Sequence, residues 1–198
     1  MSEILFLRHG PTEWNAAGRI QGHTDTSLSP EGETLVRSWC VPPQYANWQC
    51  YVSPLQRARQ TAVLLGYPDP EPVSALQEMN WGAWEGLTLG ALRQQDPAGL
   101  HSNETLGLDF RPPEGESPRE VRQRLAHWLF SRTSDELPAI AVCHKGLLRA
   151  ALSLATDWDM VCDPPVKLQD HCAHCYHVSD NRLEVDVLNI PLTTHPTE

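Results

Sequence analysis

Hydrophobic positions in this chain fall into short blocks with two different periods. Three β-prone runs, Ile4 to Leu7, Gln49 to Val52 and Ala139 to Cys143, are each followed by a polar loop and then a helical pattern. That order predicts βα units around a largely parallel sheet. Near the C-terminus, Ala173 to Val178 and Leu183 to Ile190 flank Ser179-Asp180-Asn181-Arg182, which predicts a hairpin and hence an antiparallel element at one edge. Ser29-Pro30 opens one helix with a cap and a first-turn proline. Ser117-Pro118-Arg119-Glu120 is a capping box ahead of Val121, Leu125, Trp128 and Leu129, which share one helical face. The stretch from Thr88 to Glu116 mixes glycine, proline and polar residues and reads as one helix and a long functional loop. No repeat or linker composition interrupts the 198 residues, so one domain covering 1–198 is expected. Its fold class is α/β: a three-layer sandwich with a mostly parallel central sheet and helices on both faces.

Charge narrows the partners. Lys plus Arg number 15 against 25 Asp plus Glu, a net charge of −10, and no basic stripe is written along the chain. Nucleic acid and acidic membrane surfaces are therefore not expected. The most apolar stretch, Gly146 to Ala155, is short and broken by Arg149, against the roughly 20 apolar residues a membrane-spanning helix needs. The basic residues are almost all arginine, only Lys145 and Lys167 being lysine, which suits forked hydrogen bonding to individual anionic groups. The first apolar run ends directly in Arg8-His9-Gly10 and reads as a strand entering a site, not as a leader. Six scattered cysteines point to reduced thiols and a cytoplasmic location.

All three strand-to-loop junctions deliver cationic or imidazole groups: Arg8-His9-Gly10 after the first, Arg57 after the second and His144 after the third. The carboxyl ends of strands in an open α/β sheet face one crevice, so these groups can converge on an anion. Helix N-termini at the same edge would add N–H donors for a phosphate. A histidine with one ring nitrogen tied to a carbonyl can attack phosphorus with the other. Flanking arginines would then neutralise the oxygens of the transferring group. A leaving alkoxide also needs a proton, for which Glu78 and Glu85 are candidates that spacing alone does not separate.

Two rival motifs compete. Cys143 to Arg149 fits a Cys-x5-Arg phosphate loop, as in cysteine-dependent phosphatases, but it leaves the Arg8 to Asn15 and Arg57 segments without a task. If the strand continues to residue 144, Cys143 and His144 point to opposite faces and His144 is the one expected at the pocket. The run His171-Cys172-Ala173-His174-Cys175-Tyr176-His177 crowds imidazoles and thiols together. Its alternation sends Cys172 and Cys175 to opposite faces, so it reads as structural, with a surface transition-metal site as the lesser alternative. Trp14, Trp81 and Trp84 are read as packing groups, Trp81 and Trp84 also as pocket walls.

Leu7-Arg8-His9-Gly10-Pro11-Thr12-Glu13-Trp14-Asn15 resembles the signature of the histidine phosphatase superfamily, the phosphoglycerate-mutase-like group. Further segments follow in that family's order: Gly18 to Gly22, Leu28 to Gly32, Ser53 to Thr61, Glu78 to Gly86, Pro113 to Ser117 and Val142 to His144. The resemblance implies that His9 is the phosphorylated nucleophile, with Arg8, Arg57 and His144 gripping the phosphoryl oxygens and Asn15 assisting. It implies that Glu78, the first Glu of Glu-x3-Gly-x2-Glu-Gly, is the proton donor, that Glu85 is structural, and that Gln21 and Gly22 line the substrate pocket. No metal and no other cofactor is implied, and the partner is a small-molecule phosphomonoester. One departure is His144-Lys145-Gly146, where the family continues with two glycines; Lys145 is expected to contact a second acidic group on the substrate. The expected activity is phosphomonoester hydrolysis through a phosphohistidine. A phosphoglycerate-mutase-type isomerase is the alternative, disfavoured by the short chain after the Glu-Gly segment. A non-catalytic phospholigand module is disfavoured by the joint presence of Arg8, His9, Arg57, Glu78 and His144.

Overall fold

The computed structural model describes residues 2–133, 135–179 and 181–194. Its strands are β1 (Ser2–Arg8), β2 (Trp39–Cys40), β3 (Gln49–Val52), β4 (Glu71–Pro72), β5 (Ala139–Cys143), β6 (Cys172–Ser179), β7 (Arg182–Pro191) and β8 (Thr193–Thr194). Six of them form one sheet in the order β4-β3-β5-β1-β6-β7, and β2 pairs with β8 beside it. The first four in that order run parallel, β6 is antiparallel to β1, and β7 is antiparallel to β6. The expected parallel core and antiparallel edge are both present; Asp180, in the connection between β6 and β7, lies outside the described residues.

Alternation along the strands divides the core into two layers. Ile4 and Phe6 of β1, with Ala139 and Ala141 of β5, pack under α6 (Pro118–Phe130) and α7 (Lys145–Thr156). Leu5 and Leu7, with Ile140 and Val142, pack on the other face against α2 (Pro30–Arg37) and α3 (Gln56–Leu64). The helices begin where the capping residues stand: Ser29 Oγ accepts from Gly32 N, and Ser117 and Glu120 form the reciprocal box. Fully burying a leucine contributes roughly 1.5–3 kcal/mol. Leu5, Leu7, Leu125 and Leu147, all at 0% exposure, therefore hold the strand ends firmly.

The stretch from Thr88 to Glu116 differs from its expected form of one helix and a long loop. It contains two helices, α4 (Leu89–Gln95) and α5 (Pro97–Glu104), and a single 3-10 turn at Gly107–Asp109. Thr88 caps α4, and Asp96 both ends α4 and caps α5 by accepting from Gly99 N, with Pro97 in the first turn. An Asp-Pro pair is a helix start as well as a turn signal, and its cap decides the outcome here. No helix among the described residues is long and apolar enough to cross a membrane.

Candidate active site

The carboxyl ends of β1, β3 and β5 bring Arg8, His9, Ser53 and His144 to one edge, and the first turn of α3 adds Arg57. His9 is 5% exposed, and its backbone N–H extends the β1–β5 ladder by bonding Cys143 O at 3.0 Å. Its Nδ1 lies 2.6 Å from Gly10 O. A carbonyl can only accept, so the proton sits on Nδ1 and Nε2 keeps its lone pair. Burial, then the charges of Arg8 and Arg57, hold the His9 pKa well below its ordinary value, which keeps the ring neutral.

Arg57 and His144 are fully buried. Arg57 donates from Nη1 to Thr24 O at 3.0 Å and from Nη2 to Gly22 O at 2.8 Å. His144 stands at the N-cap position of α7, its side chain making no capping bond, and its ring centroid lies 5.0 Å from that of His9. Its Nε2 is 2.8 Å from Ser53 Oγ, and burial, reinforced by His9 and the nearby arginines, pushes its pKa well down. Arg8 is held from the other side by Asp170, Nη1 to Oδ1 at 2.7 Å. Three polar atoms of the site are left over: Arg8 Nε, Arg57 Nε and His144 Nδ1, the last a donor when Ser53 gives its proton to Nε2, are buried without a hydrogen-bond partner among the described residues. Orphaned buried donors are uncommon in folded proteins, and three at one edge around a neutral imidazole mark a seat for a multiply charged acceptor.

The two carboxylates left open by spacing have separate surroundings. Glu78 is 7% exposed, and its oxygens accept from Met79 N at 2.8 Å and Gly146 N at 3.2 Å. Burial outweighs these bonds and raises its pKa. A Cβ on Gly146 would strike the Glu78 carboxylate, so the residue there has to be glycine for the two to meet. Glu85 instead ties the loop together, accepting from His23 N, Thr24 N, Thr24 Oγ1 and Trp81 N. Burial pushes the Glu85 pKa up, but those bonds prevail and its net shift is down.

A cavity of about 610 Å³ opens beside these groups and is lined by Arg8, His9, Asn15, Gln21, Glu78 and Lys145, among others. Asn15 spends its Oδ1 on Thr12 N and Oγ1 and so keeps its amide nitrogen for the cavity. Gln21 Oε1 accepts from Thr26 Oγ1. Gly22 stands behind the wall and not on it: its carbonyl holds Arg57, and Glu85 packs against it. Trp81 lines the cavity and stacks edge-on with Phe110 at 5.6 Å, whereas Trp84 supports Phe110 from behind. Ser53, Asp170 and Arg19 are the site residues that sequence reasoning missed, and Arg149, which lines the cavity, entered it only through the rival Cys-x5-Arg motif. Ser53 alone carried a signal, being a hydroxyl directly after a predicted strand, as Arg8 and His144 are near the ends of theirs.

Neither rival motif is assembled. The Cys143 thiol is fully buried among the apolar residues beneath α6 and α7, and burial pushes its pKa far up, so no thiolate forms there. The run from His171 to His177 disperses: His174 Nδ1 accepts from Asn189 N, and His177 Nε2 lies 3.4 Å from Asp186. Among the described residues the one convergent group of ligand types is Glu3, Cys175 and Asp186, near the opposite end of β1 from His9.

A neutral imidazole near two buried guanidinium nitrogens without partners, at the carboxyl edge of a three-layer α/β fold, is the arrangement of a phosphate-handling enzyme. A family model described as the histidine phosphatase superfamily (branch 1) matches residues 4–191, and the chain belongs to that superfamily. A glucosyl-3-phosphoglycerate phosphatase of Mycolicibacterium vanbaalenii is 36% identical over 167 residues, covering 77% of this chain and 72% of that protein. A 2,3-bisphosphoglycerate-dependent phosphoglycerate mutase 2 of Gloeobacter violaceus is 28% identical over 172 residues, covering 77% and 74%. A solved mycobacterial glucosyl-3-phosphoglycerate phosphatase in complex with VO3 matches with a TM-score of 0.75 at 26% identity, covering 96% of this chain and 100% of that one. The protein is an enzyme that hydrolyses phosphomonoesters.

Proposed function

We propose that hydrolysis runs in two steps through a phosphohistidine on His9. In the first, His9 Nε2 bonds to phosphorus, the bond from phosphorus to the ester oxygen breaks, and Glu78 gives its proton to the departing alcohol. In the second, water attacks the phosphorus, Glu78 takes a proton from it, the phosphorus–nitrogen bond breaks, and inorganic phosphate leaves. Arg8, Arg57 and His144 stabilise the oxygens throughout. A Ser53 hydroxyl donating to His144 Nε2 would fix the ring proton on Nδ1, the nitrogen without a partner. Asn15, Gln21 and Lys145 would contact the substrate, and Gly22 would act through Arg57.

The observation that carries this scheme is the Nδ1 anchor of His9 on Gly10 O, in a site where Arg8 Nε, Arg57 Nε and His144 Nδ1 have no partner of their own among the described residues. The donors around the phosphate seat are already cationic or N–H groups, which favours a mechanism needing neither metal nor cofactor. The substrate would be a small-molecule phosphomonoester, processed by a single domain spanning 1–198 in the cytoplasm. The mutase relative keeps isomerisation in view as the second outcome of the same intermediate.

Rapid acid-free quenching with a phosphate-labelled substrate tests the scheme. The expected label is acid-labile, base-stable and on His9, and His9→Ala is expected to lose it together with at least about 10⁴-fold in kcat. An acid-stable label on another residue, or full turnover by His9→Ala, overturns it. Isomerisation of phosphoglycerate outpacing phosphate release would favour the mutase.

A further inference from the structure

Resting on that reading, the placement of Glu78 is a problem the fold has to solve. Glu78 belongs to no helix or strand: a 3-10 turn at Ser74–Leu76 ends just before it, and the next, at Gly82–Trp84, begins after it. Carbonyls of an irregular segment have no ladder to join, so their donors must come from elsewhere. The carboxylate is only as well placed as the backbone that carries it.

One side chain of α6 supplies most of those donors. Arg124 donates from Nη1 to Ala75 O at 2.6 Å, and from Nη2 to Gln77 O at 2.9 Å and Glu78 O at 3.2 Å. Its Nε and Nη2 also donate to the two oxygens of Glu116, at 2.7 and 3.1 Å. Glu116 completes the hold, accepting from Asn80 N at 3.2 Å and donating its own N–H to Asn80 O at 2.8 Å. His23 Nε2 gives Glu78 O a second donor at 2.9 Å. A planar guanidinium can serve three carbonyls and a carboxylate together, which a single ammonium cannot.

Arg124 is absent from the lining of the cavity that holds His9 and instead lines a separate groove of about 540 Å³ with His23, Gln77 and Glu116. On α6 it falls between Val121 and Trp128, both buried in the core, where an apolar residue would suit the packing. A half-buried ion pair at such a place is a weak source of stability. Its contacts all converge on the backbone around Glu78 and on Glu116. We infer that Arg124, braced by Glu116, is a positioning residue for the acid step: it fixes the segment that aims the Glu78 carboxylate, and it touches no substrate.

Turnover of alkyl and aryl phosphates by full-length variants tests this, with the Gly146 amide resonance as a second readout, because Gly146 N donates to the Glu78 carboxylate. Arg124→Met is expected to lower kcat on alkyl phosphates about 10–100-fold, with kcat on aryl phosphates and both KM values changed by less than about 3-fold. In a Glu78→Gln background it should cost less than about 2-fold more, since both changes act through one carboxylate. The Gly146 resonance is expected to move in Arg124→Met. Leu125→Ala, a core change on the same helix, should move neither that resonance nor the alkyl-to-aryl ratio, which separates aim from stability. Should Arg124→Met fail to fold, Arg124→Lys and Glu116→Gln carry the test, each with a loss of about 3–10-fold confined to alkyl phosphates. Where Glu78→Gln discriminates between the substrate classes, equal losses on both in the Arg124 variants, additivity with Glu78→Gln, or an unmoved Gly146 resonance overturn the inference. Where Glu78→Gln does not discriminate, the acid assignment falls, and the Gly146 resonance alone decides whether Arg124 positions that carboxylate.

Discussion

His9, Arg57 and His144 lie on the floor of the site with exposures of 5%, 0% and 0%, each fixed by main-chain or strand-end contacts. The helices α4 and α5 that wall the cavity on the far side bury one residue each, Leu92 and Leu100. By contrast, α7 buries six residues between Leu147 and Ser153. The floor is thus part of the cooperative core, while the wall rests on it through few apolar contacts, as segments that open locally do. On the proposed mechanism the two regions would divide the work: strand ends would fix where phosphorus is attacked, and the lightly held wall would shape which alcohol fits.

The sharpest test of the floor is its acid. Glu78→Gln is expected to cost about 10²–10⁴-fold in kcat on alkyl phosphates and far less on aryl phosphates, whose leaving groups need no proton. Because burial raises the Glu78 pKa, its acid form persists to higher pH, and activity should fall as pH rises through that value. The pH–rate profile of the variant should lack this alkaline limb; equal losses on both substrate classes would remove Glu78 from the role.

Core and wall are separated next by stability. Leu125→Ala, at 0% exposure beneath the sheet, is expected to lower the unfolding free energy by about 2–5 kcal/mol in urea titrations. Leu100→Ala, at 5% exposure in α5, is expected to speed hydrogen exchange across α4 and α5 and raise KM, with a smaller global change. Equal global losses from both would mean that wall and floor unfold as one unit.

The smallest effect concerns positioning. Ser53→Ala removes the partner of His144 Nε2, worth about 1 kcal/mol net, and should lower kcat/KM by roughly 5-fold. Nitrogen chemical shifts of His144 should then report a changed tautomer balance, with recovery in Ser53→Thr. Unchanged shifts would deny Ser53 the orienting role.

Much of the floor was legible because it is local in sequence. Apolar runs of β period, each ending in Arg, His or a short loop to Arg, announce both strands and site. The helix caps at Ser29 and Ser117 stand three residues before the backbone N–H groups they satisfy. What stayed hidden depends on distant chain segments. Asp170 reaches Arg8 across 162 positions, and Ser53 reaches His144 across 91. The choice between Glu78 and Glu85 turns on burial and on which backbone amides each meets, neither of which spacing encodes. Residues 88–116 defied their pattern because Asp96 serves as the end of one helix and the cap of the next.

Asp170 also bears on timing. An arginine side chain gives up as much as about 2 kcal/mol of rotameric entropy when it is immobilised. Arg8, tethered through Nη1, makes that sacrifice while the chain folds, and its Nε is buried with no partner of its own among the described residues. On the proposed role of Arg8, an arriving ester would meet a side chain that has stopped searching, and capture would depend on the rate of encounter more than on side-chain rearrangement.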